Sequence, residues 1–299
     1  MKLFGVIETG GTKTVCAIGT GEGEIRTITQ FPTTTPDQTF GAAGEFFRIE
    51  TDGSDRLAGI GVGSFGPIDV NRKSKRYGWI ANTPKPGWLD VDVLAEISRH
   101  IDLPVVIDTD VNCALRGEVE RGAGRGFEDV AYITVGTGIG GGILLGGRLV
   151  TGHTHPEIGH MLIPMEDGDH DFSGCCPFHG ARCAEGLASG QALALRWGVE
   201  SQNLDSTHVA WELEAKYLAA LCLNLFLCFS PQRIILGGGV MQQQHLLKKI
   251  RLRFRELLND YIDLSPWQET LDDLIVPVAL SGNAGVVGAC LLANLAFAE

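Results

Sequence analysis

The stretch Val105-Val106-Ile107-Asp108-Thr109-Asp110-Val111-Asn112 changes character halfway along. Three β-branched apolar residues after Pro104 predict a short buried strand. That strand runs into two carboxylates and an Asn, where a helix over about 112–121 is expected to begin. Asn112 is the expected N-cap, which sets Asp110 close to the positive end of the helix dipole. Open α/β sheets bind ligands at the carboxyl ends of their strands, so Asp110 is the candidate general base. The alternative is a capping cluster with Asp108 and Asp110 merely solvated. Glycine-rich strand ends on both sides in sequence favour the chemical reading.

The first of these ends follows a strand over 3–7. Glu8-Thr9-Gly10-Gly11-Thr12-Lys13-Thr14 turns, and a second strand resumes over 15–19. Strand, Gly-Gly-Thr turn and strand form a hairpin whose amides and hydroxyls can face phosphates; it can equally be a plain Gly-Gly hairpin with Lys13 solvated at its tip. It is not a Walker A loop, since no G-x-x-x-x-G-K-[ST] is present. The design returns at 130–145, where a strand over 130–135 ends in Gly136-Thr137-Gly138-Ile139-Gly140-Gly141-Gly142 and another strand resumes at 143–145. This weak internal repeat suggests two related halves, each presenting a phosphate loop. A third glycine end, Gly237-Gly238-Gly239-Val240-Met241, closes a strand over 233–236 and opens a helix expected over roughly 242–259, whose first amides can approach a nucleotide.

Between these landmarks the pattern predicts helices over 39–49, 94–99, 211–229 and 284–298, and strands over 57–63 and 274–278. The long apolar helices read as core. Residues 70–90 read as a loop, with Ala81-Asn82-Thr83-Pro84-Lys85-Pro86-Gly87-Trp88 stiff enough to line a sugar pocket through Asn82, or to serve only as a crossover. Residues 152–185 read as mostly irregular, and stretches that long are uncommon unless functional or tied down. Five of the eight cysteines (Cys16, Cys113, Cys222, Cys228, Cys290) stand singly in apolar or helical context and are expected to be small buried hydrophobes. Cys175, Cys176 and Cys183 crowd together with His179. Cys176, His179 and Cys183 have metal-ligand spacing, His160 can complete a tetrahedral set, and Zn²⁺ is the ion such a mixed set favours. Cys175 competes with Cys176 for a place, and reduced buried thiols are the metal-free alternative.

Composition sets the outer limits. A chain of 299 residues has room for two domains, and 44% hydrophobic with 20% charged residues is ordinary for a globular protein. The forty glycines cluster in short runs, unlike a flexible linker. A net charge of −12 argues against a nucleic-acid backbone as partner, though amides and Mg²⁺ can still bind a nucleotide's phosphates. No apolar run suits a membrane span, and Met1-Lys2-Leu3-Phe4-Gly5 lacks the pattern of a signal peptide, so a cytoplasmic location is the expectation.

Taken together, Glu8-Thr9-Gly10-Gly11-Thr12-Lys13, Asp110-Val111-Asn112, Gly136-Thr137-Gly138-Ile139-Gly140, Glu157-Ile158-Gly159-His160 and Cys183-Ala184-Glu185-Gly186 closely resemble the ROK family (repressors, open reading frames and kinases) over essentially the whole chain. The resemblance implies an α/β, two-lobed actin-like ATPase or sugar-kinase (ribonuclease H-like) fold with a ligand cleft between the lobes. A small N-terminal lobe over 1–117 would carry the sugar and catalytic Asp side. A larger lobe over 118–299 would carry the zinc loop and nucleotide site, with its last helix free to pack back on the first lobe. By the same resemblance Asp110 deprotonates a sugar hydroxyl. Asn82, Gly66, Glu157, His160 and Glu185 hold the sugar, and His160 doubles as a zinc ligand beside Cys176, His179 and Cys183. Gly10, Gly11, Thr12, Lys13, Thr137 and Gly138 face the ATP phosphates, and Gly237, Gly238, Gly239, Val240 and Met241 the adenosine. A homodimer is the family expectation.

Several positions depart from the commoner family pattern. Glu8 stands for the usual Asp, which bears on Mg²⁺, and Thr109 stands where glucokinase-like members carry Asn. The metal loop reads Cys-Pro-Phe-His, with four rather than three positions from His179 to Cys183, a length change that costs little. That loop, Asn82-Thr83-Pro84 with Gly87-Trp88, and Glu185-Gly186-Leu187-Ala188-Ser189-Gly190 resemble the fructokinase branch. The expected activity is therefore ATP-dependent phosphorylation of fructose to fructose 6-phosphate, with structural Zn²⁺ and with Mg²⁺. The alternatives are a kinase for glucose, mannose or an N-acetylhexosamine, a sugar-responsive repressor, or a sugar-binding protein without turnover. The repressor reading wants an N-terminal helix-turn-helix where this sequence begins a strand.

Overall fold

The computed structural model describes residues 2–51, 56–264 and 271–297. Two compact units divide the chain: Met1–Gly122 with Thr151–His155 and Leu280–Glu299, and Ala123–Val150 with Pro156–Ala279. The division falls after Gly122 rather than inside 117/118, because one unbroken helix spans that point.

The first unit holds strands β1 (Leu3–Thr9), β2 (Lys13–Thr20), β3 (Ile25–Pro32), β4 (Leu57–Ser64) and β5 (Val105–Thr109), and helices α1 (Pro36–Glu50), α2 (Val93–Ser98), α3 (Asp110–Arg121) and, from the end of the chain, α9 (Ala284–Phe297). Sheet order is β3-β2-β1-β4-β5, antiparallel across the β1–β2–β3 meander and parallel from β1 to β4 to β5. Alternation along β1 sorts its side chains between two cores. Leu3 and Ile7 join the cluster containing Phe40, Phe47 and Trp88, while Phe4 and Val6 join the cluster under α3 and α9. Gly117 and Gly288 let α3 and α9 approach backbone to backbone. Buried Glu118 on α3 accepts from Leu280 N at 2.9 Å, fastening the chain's return.

The second unit holds β6 (Val130–Val135), β7 (Ile139–Leu145), β8 (Arg148–Leu149), β9 (Arg233–Gly237) and β10 (Ile275–Pro277), with α4 (Ala184–Ala188), α5 (Gly190–Trp197), α6 (Ala210–Phe229), α7 (Gln244–Leu258) and α8 (Leu271–Leu274). Its order, β8-β7-β6-β9-β10, repeats the first sheet: a hairpin strand on one side of the first strand, parallel strands on the other. The repeat seen faintly in the glycine turns is thus a repeat of topology. Its core gathers Ile133, Val135, Trp211, Leu218, Ile234 and Phe254.

Several expectations shift. The helix after the Asp108 strand is capped by Thr109, whose side chain accepts from Asn112 N at 3.0 Å; Asn112 is not the cap but lies in the first turn, buried, donating from Nδ2 to Asp108 at 2.7 Å. The first hairpin turn is shorter than expected, with only residues 10–12 outside the strands. Strand β3 was not among the expected elements; along it Ile25, Thr27, Thr29 and Phe31 are half-buried and alternate with exposed neighbours. The third glycine end opens a 3₁₀ turn (Val240–Gln242), and α7 begins only at Gln244. Leu274 closes α8 rather than opening β10. Cys228 is exposed on the outer face of α6, unlike the other four isolated cysteines. Ala298 lies outside the described residues.

Candidate active site

The turn joining β1 to β2 has all its carbonyls occupied from inside. Lys13 O accepts from Gly10 N at 2.9 Å and Thr12 O from Thr33 N at 3.0 Å. Gly10 O accepts from Thr33 Oγ1 at 2.8 Å, and Gly11 O from Lys85 Nζ at 2.6 Å. A planar trans peptide points its N–H opposite its C=O. Holding the carbonyls of Gly10 and Gly11 inward therefore turns the N–H groups of Gly11 and Thr12 outward, and neither has a partner among the described residues. Two convergent amides with the exposed Thr12 and Lys13 beside them make a small anion-binding concavity.

The turn joining β6 to β7 reaches the same end by other means. Gly138 O accepts from Gly136 N at 2.9 Å, Gly136 O from Gly190 N at 2.7 Å, and Thr137 O from Gln191 N at 3.4 Å. The last two donors are the first amides of α5, so a helix N-terminus backs the turn. The N–H groups of Thr137 and Gly138 are left outward. Gly138 has no room for a side chain: a Cβ there would stand 2.5 Å from Glu185 Oε2. Gly238, at φ 93°, presses on the backbone of Val135, and Val240 packs beside Gly190. Gly136 to Gly138 and Gly237 to Val240 are therefore neighbours in one unit, with Met241 partly buried behind them.

Asp110 occupies the first position of α3. Its Oδ1 accepts from Val111 N at 2.9 Å, and burial pushes its pKa up to about 7 against that hydrogen bond. Glu8, at the end of β1, is likewise raised to about 7, first by burial, then by the charge of Asp110, with Lys13 opposing. Gly63 is the partner of Glu8 in β4, and a Cβ on it would meet Asp110 Cα at 3.3 Å. A Cβ on Gly285, in the first turn of α9, would stand 2.5 Å from the Glu8 carboxyl carbon. Two glycines thus make the space in which two carboxyls and the starts of two helices meet. Asp108 serves this site structurally: its Oδ1 takes Thr109 N at 2.8 Å and Asn112 Nδ2 at 2.7 Å.

Gly66 follows β4, and a Cβ on it would meet the His155 ring at 3.2 Å; the same ring accepts from Ile68 N at 3.3 Å through Nε2. Asn82 is exposed on its loop. In the second unit Glu157 is exposed at the start of the 3₁₀ turn Ile158–His160. Glu185 Oε2 accepts from Ile139 N at 3.0 Å, and its Oε1 lies 3.9 Å from His160 Nε2.

His160, Cys176, His179 and Cys183 bring one donor atom each to within 4.8 Å of one another. The Cys176 sulfur lies 3.7 Å from His160 Nδ1 and 3.6 Å from His179 Nδ1, and the Cys183 sulfur 3.8 Å from His160 Nδ1. A tetrahedral Zn²⁺ with ordinary Zn–S and Zn–N distances sets its S···N edges at roughly 3.6 Å. The donor set and its spacing fit that ion. Cys175 is turned elsewhere, its sulfur 3.3 Å from Ser189 Oγ and 3.5 Å from Glu185 O.

Thr33 and Gln191, which help hold the two turns, were not singled out from the sequence, and Lys85 and Gly190 lie in quoted stretches without having been given this role. All four donate to backbone carbonyls, a role that residue type alone does not mark.

The ROK family model matches residues 4–295. The fructokinase of Pediococcus pentosaceus is 41% identical over 294 residues, covering 98% of each chain. That of Streptococcus mutans is 40% identical over 301 residues, covering all of this chain and 98% of its own. The crystal structure of a ROK family glucokinase from Streptomyces griseus in complex with glucose and AMPPNP superposes with a TM-score of 0.79 at 26% identity, across 98% of this chain and 99% of that one.

Proposed function

The chain belongs to the ROK family and has the actin-like, ribonuclease H-like sugar-kinase fold, and from that premise we propose that it transfers the γ-phosphoryl group of ATP to the 6-hydroxyl of fructose with Asp110 as general base. About 40% identity to fructokinases along nearly the full chain supports the substrate. The observation that carries the chemistry is Asp110 itself. A carboxyl fixed at a helix start and raised to about 7 is ionised enough to accept a proton near neutrality and basic enough to want one.

In this reading Asp110 orients the hydroxyl and takes its proton as the oxygen attacks phosphorus. Phosphoryl transfer is mostly positioning and electrostatics. The outward amides of Gly11, Thr12, Thr137 and Gly138, with Lys13, supply fixed donors for phosphate oxygens. Gly237 to Met241 take the adenosine. Gly66, Asn82, Glu157, His160 and Glu185 take the other sugar hydroxyls. Glu8 offers the kind of hard oxygen Mg²⁺ prefers, and Mg²⁺ would neutralise phosphate charge. His160, Cys176, His179 and Cys183 would hold a structural Zn²⁺, which would staple the 152–185 segment. If its Nδ1 held that metal, His160 would carry its proton on Nε2, on the side of Glu185.

A coupled ADP-release assay across fructose, glucose, mannose and N-acetylglucosamine tests this. Fructose should give the highest kcat/KM by at least about tenfold. Another hexose ahead of fructose would replace the substrate, and no ADP release with any of them would remove the kinase reading.

A further inference from the structure

The ammonium of Lys85 donates to Gly11 O at 2.6 Å and to Thr33 O at 2.8 Å. Its own loop is anchored two ways. Trp88 is fully buried, donates from Nε1 to Thr34 O at 2.7 Å, and stacks edge-on against Phe40 and Phe65. The loop is thus a rigid arm whose tip grips the β1–β2 turn and the residue, Thr33, that holds the turn's other two carbonyls.

The grip matters because of which atom it takes. Gly11 O and Thr12 N belong to one peptide plane, so fixing the oxygen inward fixes the N–H outward. Gly11 has open space around it, and glycine permits the backbone rotation that would turn this plane over. Reversed, the plane would show an anion a carbonyl oxygen in place of an amide. No other donor reaches Gly11 O among the described residues.

We propose that Lys85 is a positioning residue for nucleotide phosphates: it locks the Gly11–Thr12 peptide with its N–H toward the phosphate, acting through the turn rather than on the substrate. This rests on the reading of the β1–β2 turn as a phosphate loop.

Calorimetric titration of the full-length protein with AMP-PNP, ADP and adenosine, for wild type, Lys85→Met and Lys85→Arg, tests it. Lys85→Met should weaken AMP-PNP and ADP about tenfold, the scale of one lost charged hydrogen bond, and leave adenosine within about twofold. The KM for MgATP should rise more than the KM for fructose, and Lys85→Arg, which keeps the donors, should recover most of the loss. Lys85→Gln substitutes if the methionine variant does not fold. Equal weakening of adenosine and AMP-PNP, or no weakening of either, overturns the assignment. A wild type that binds AMP-PNP no better than adenosine overturns the phosphate-loop reading, and Lys85 falls with it.

Discussion

Replacing Asp110 by Asn should destroy turnover and stabilise the protein, and the two effects share one cause. The folded-state pKa of Asp110 is about 7, against an ordinary 3.8. Between those values the unfolded chain is ionised while the folded one keeps its proton. The stabilisation present below about pH 4 is therefore lost as pH rises, and is gone above about 7. The ceiling on that slope is about 1.4 kcal/mol per pH unit. Asp110 is only partly buried, so solvent screening reduces it. At half the ceiling the accumulated penalty at pH 8 is about 2 kcal/mol, or roughly 4–8 °C in melting temperature. An Asn has the same shape, can keep the hydrogen bond from Val111 N, and carries no charge to desolvate. Thermal melts of both proteins across pH 4–9 should therefore diverge from about pH 4 to 7 and run parallel above, with the variant the more stable. Meanwhile kcat should drop by roughly 10²–10⁴. A variant melting at or below wild type at pH 8, or a gap independent of pH, would refute the buried-carboxyl argument. Near-normal kcat would remove Asp110 as the base.

Glu8→Gln removes the negative charge beside Asp110 and should move the acid limb of the kcat/KM profile to lower pH; a limb that stays in place would show that the two carboxyls do not interact. Purified protein should contain one Zn²⁺ per chain by elemental analysis. Cys183→Ser should lose it and expose the 152–185 segment to protease, whereas metal-free wild type with normal fructose binding would defeat the structural-zinc assignment.

How much of this the sequence displayed depends on the range of the interaction. The short apolar run Leu3–Ile7 and the valines at 105 and 106 marked strands because burial on both faces shows in a strand's own residues. The clustering of His160, Cys176, His179 and Cys183 was legible from residue type and spacing, and geometry separated Cys176 from Cys175. Asn112 misled because Asn and Thr both cap helices. The choice fell to Thr109 once Asp108 had claimed the Asn112 amide, and sequence alone carries no trace of that competition.

The two glycine turns show most sharply what was not legible. Each keeps two N–H groups outward by occupying its carbonyls from within, and each closes on one glycine amide of its own, Gly10 N or Gly136 N, but the donors brought from outside the turn differ. The first turn uses a hydroxyl, an ammonium and one amide, from Thr33 and Lys85, some twenty and seventy residues downstream. The second uses the opening amides of a helix at Gly190 and Gln191. A Gly-Thr turn advertises that its backbone can bend; it says nothing of what will hold each peptide plane. Because the recognising groups are main-chain amides, the residues that set their direction are free to be anything that donates. They differ between two halves that repeat the same topology.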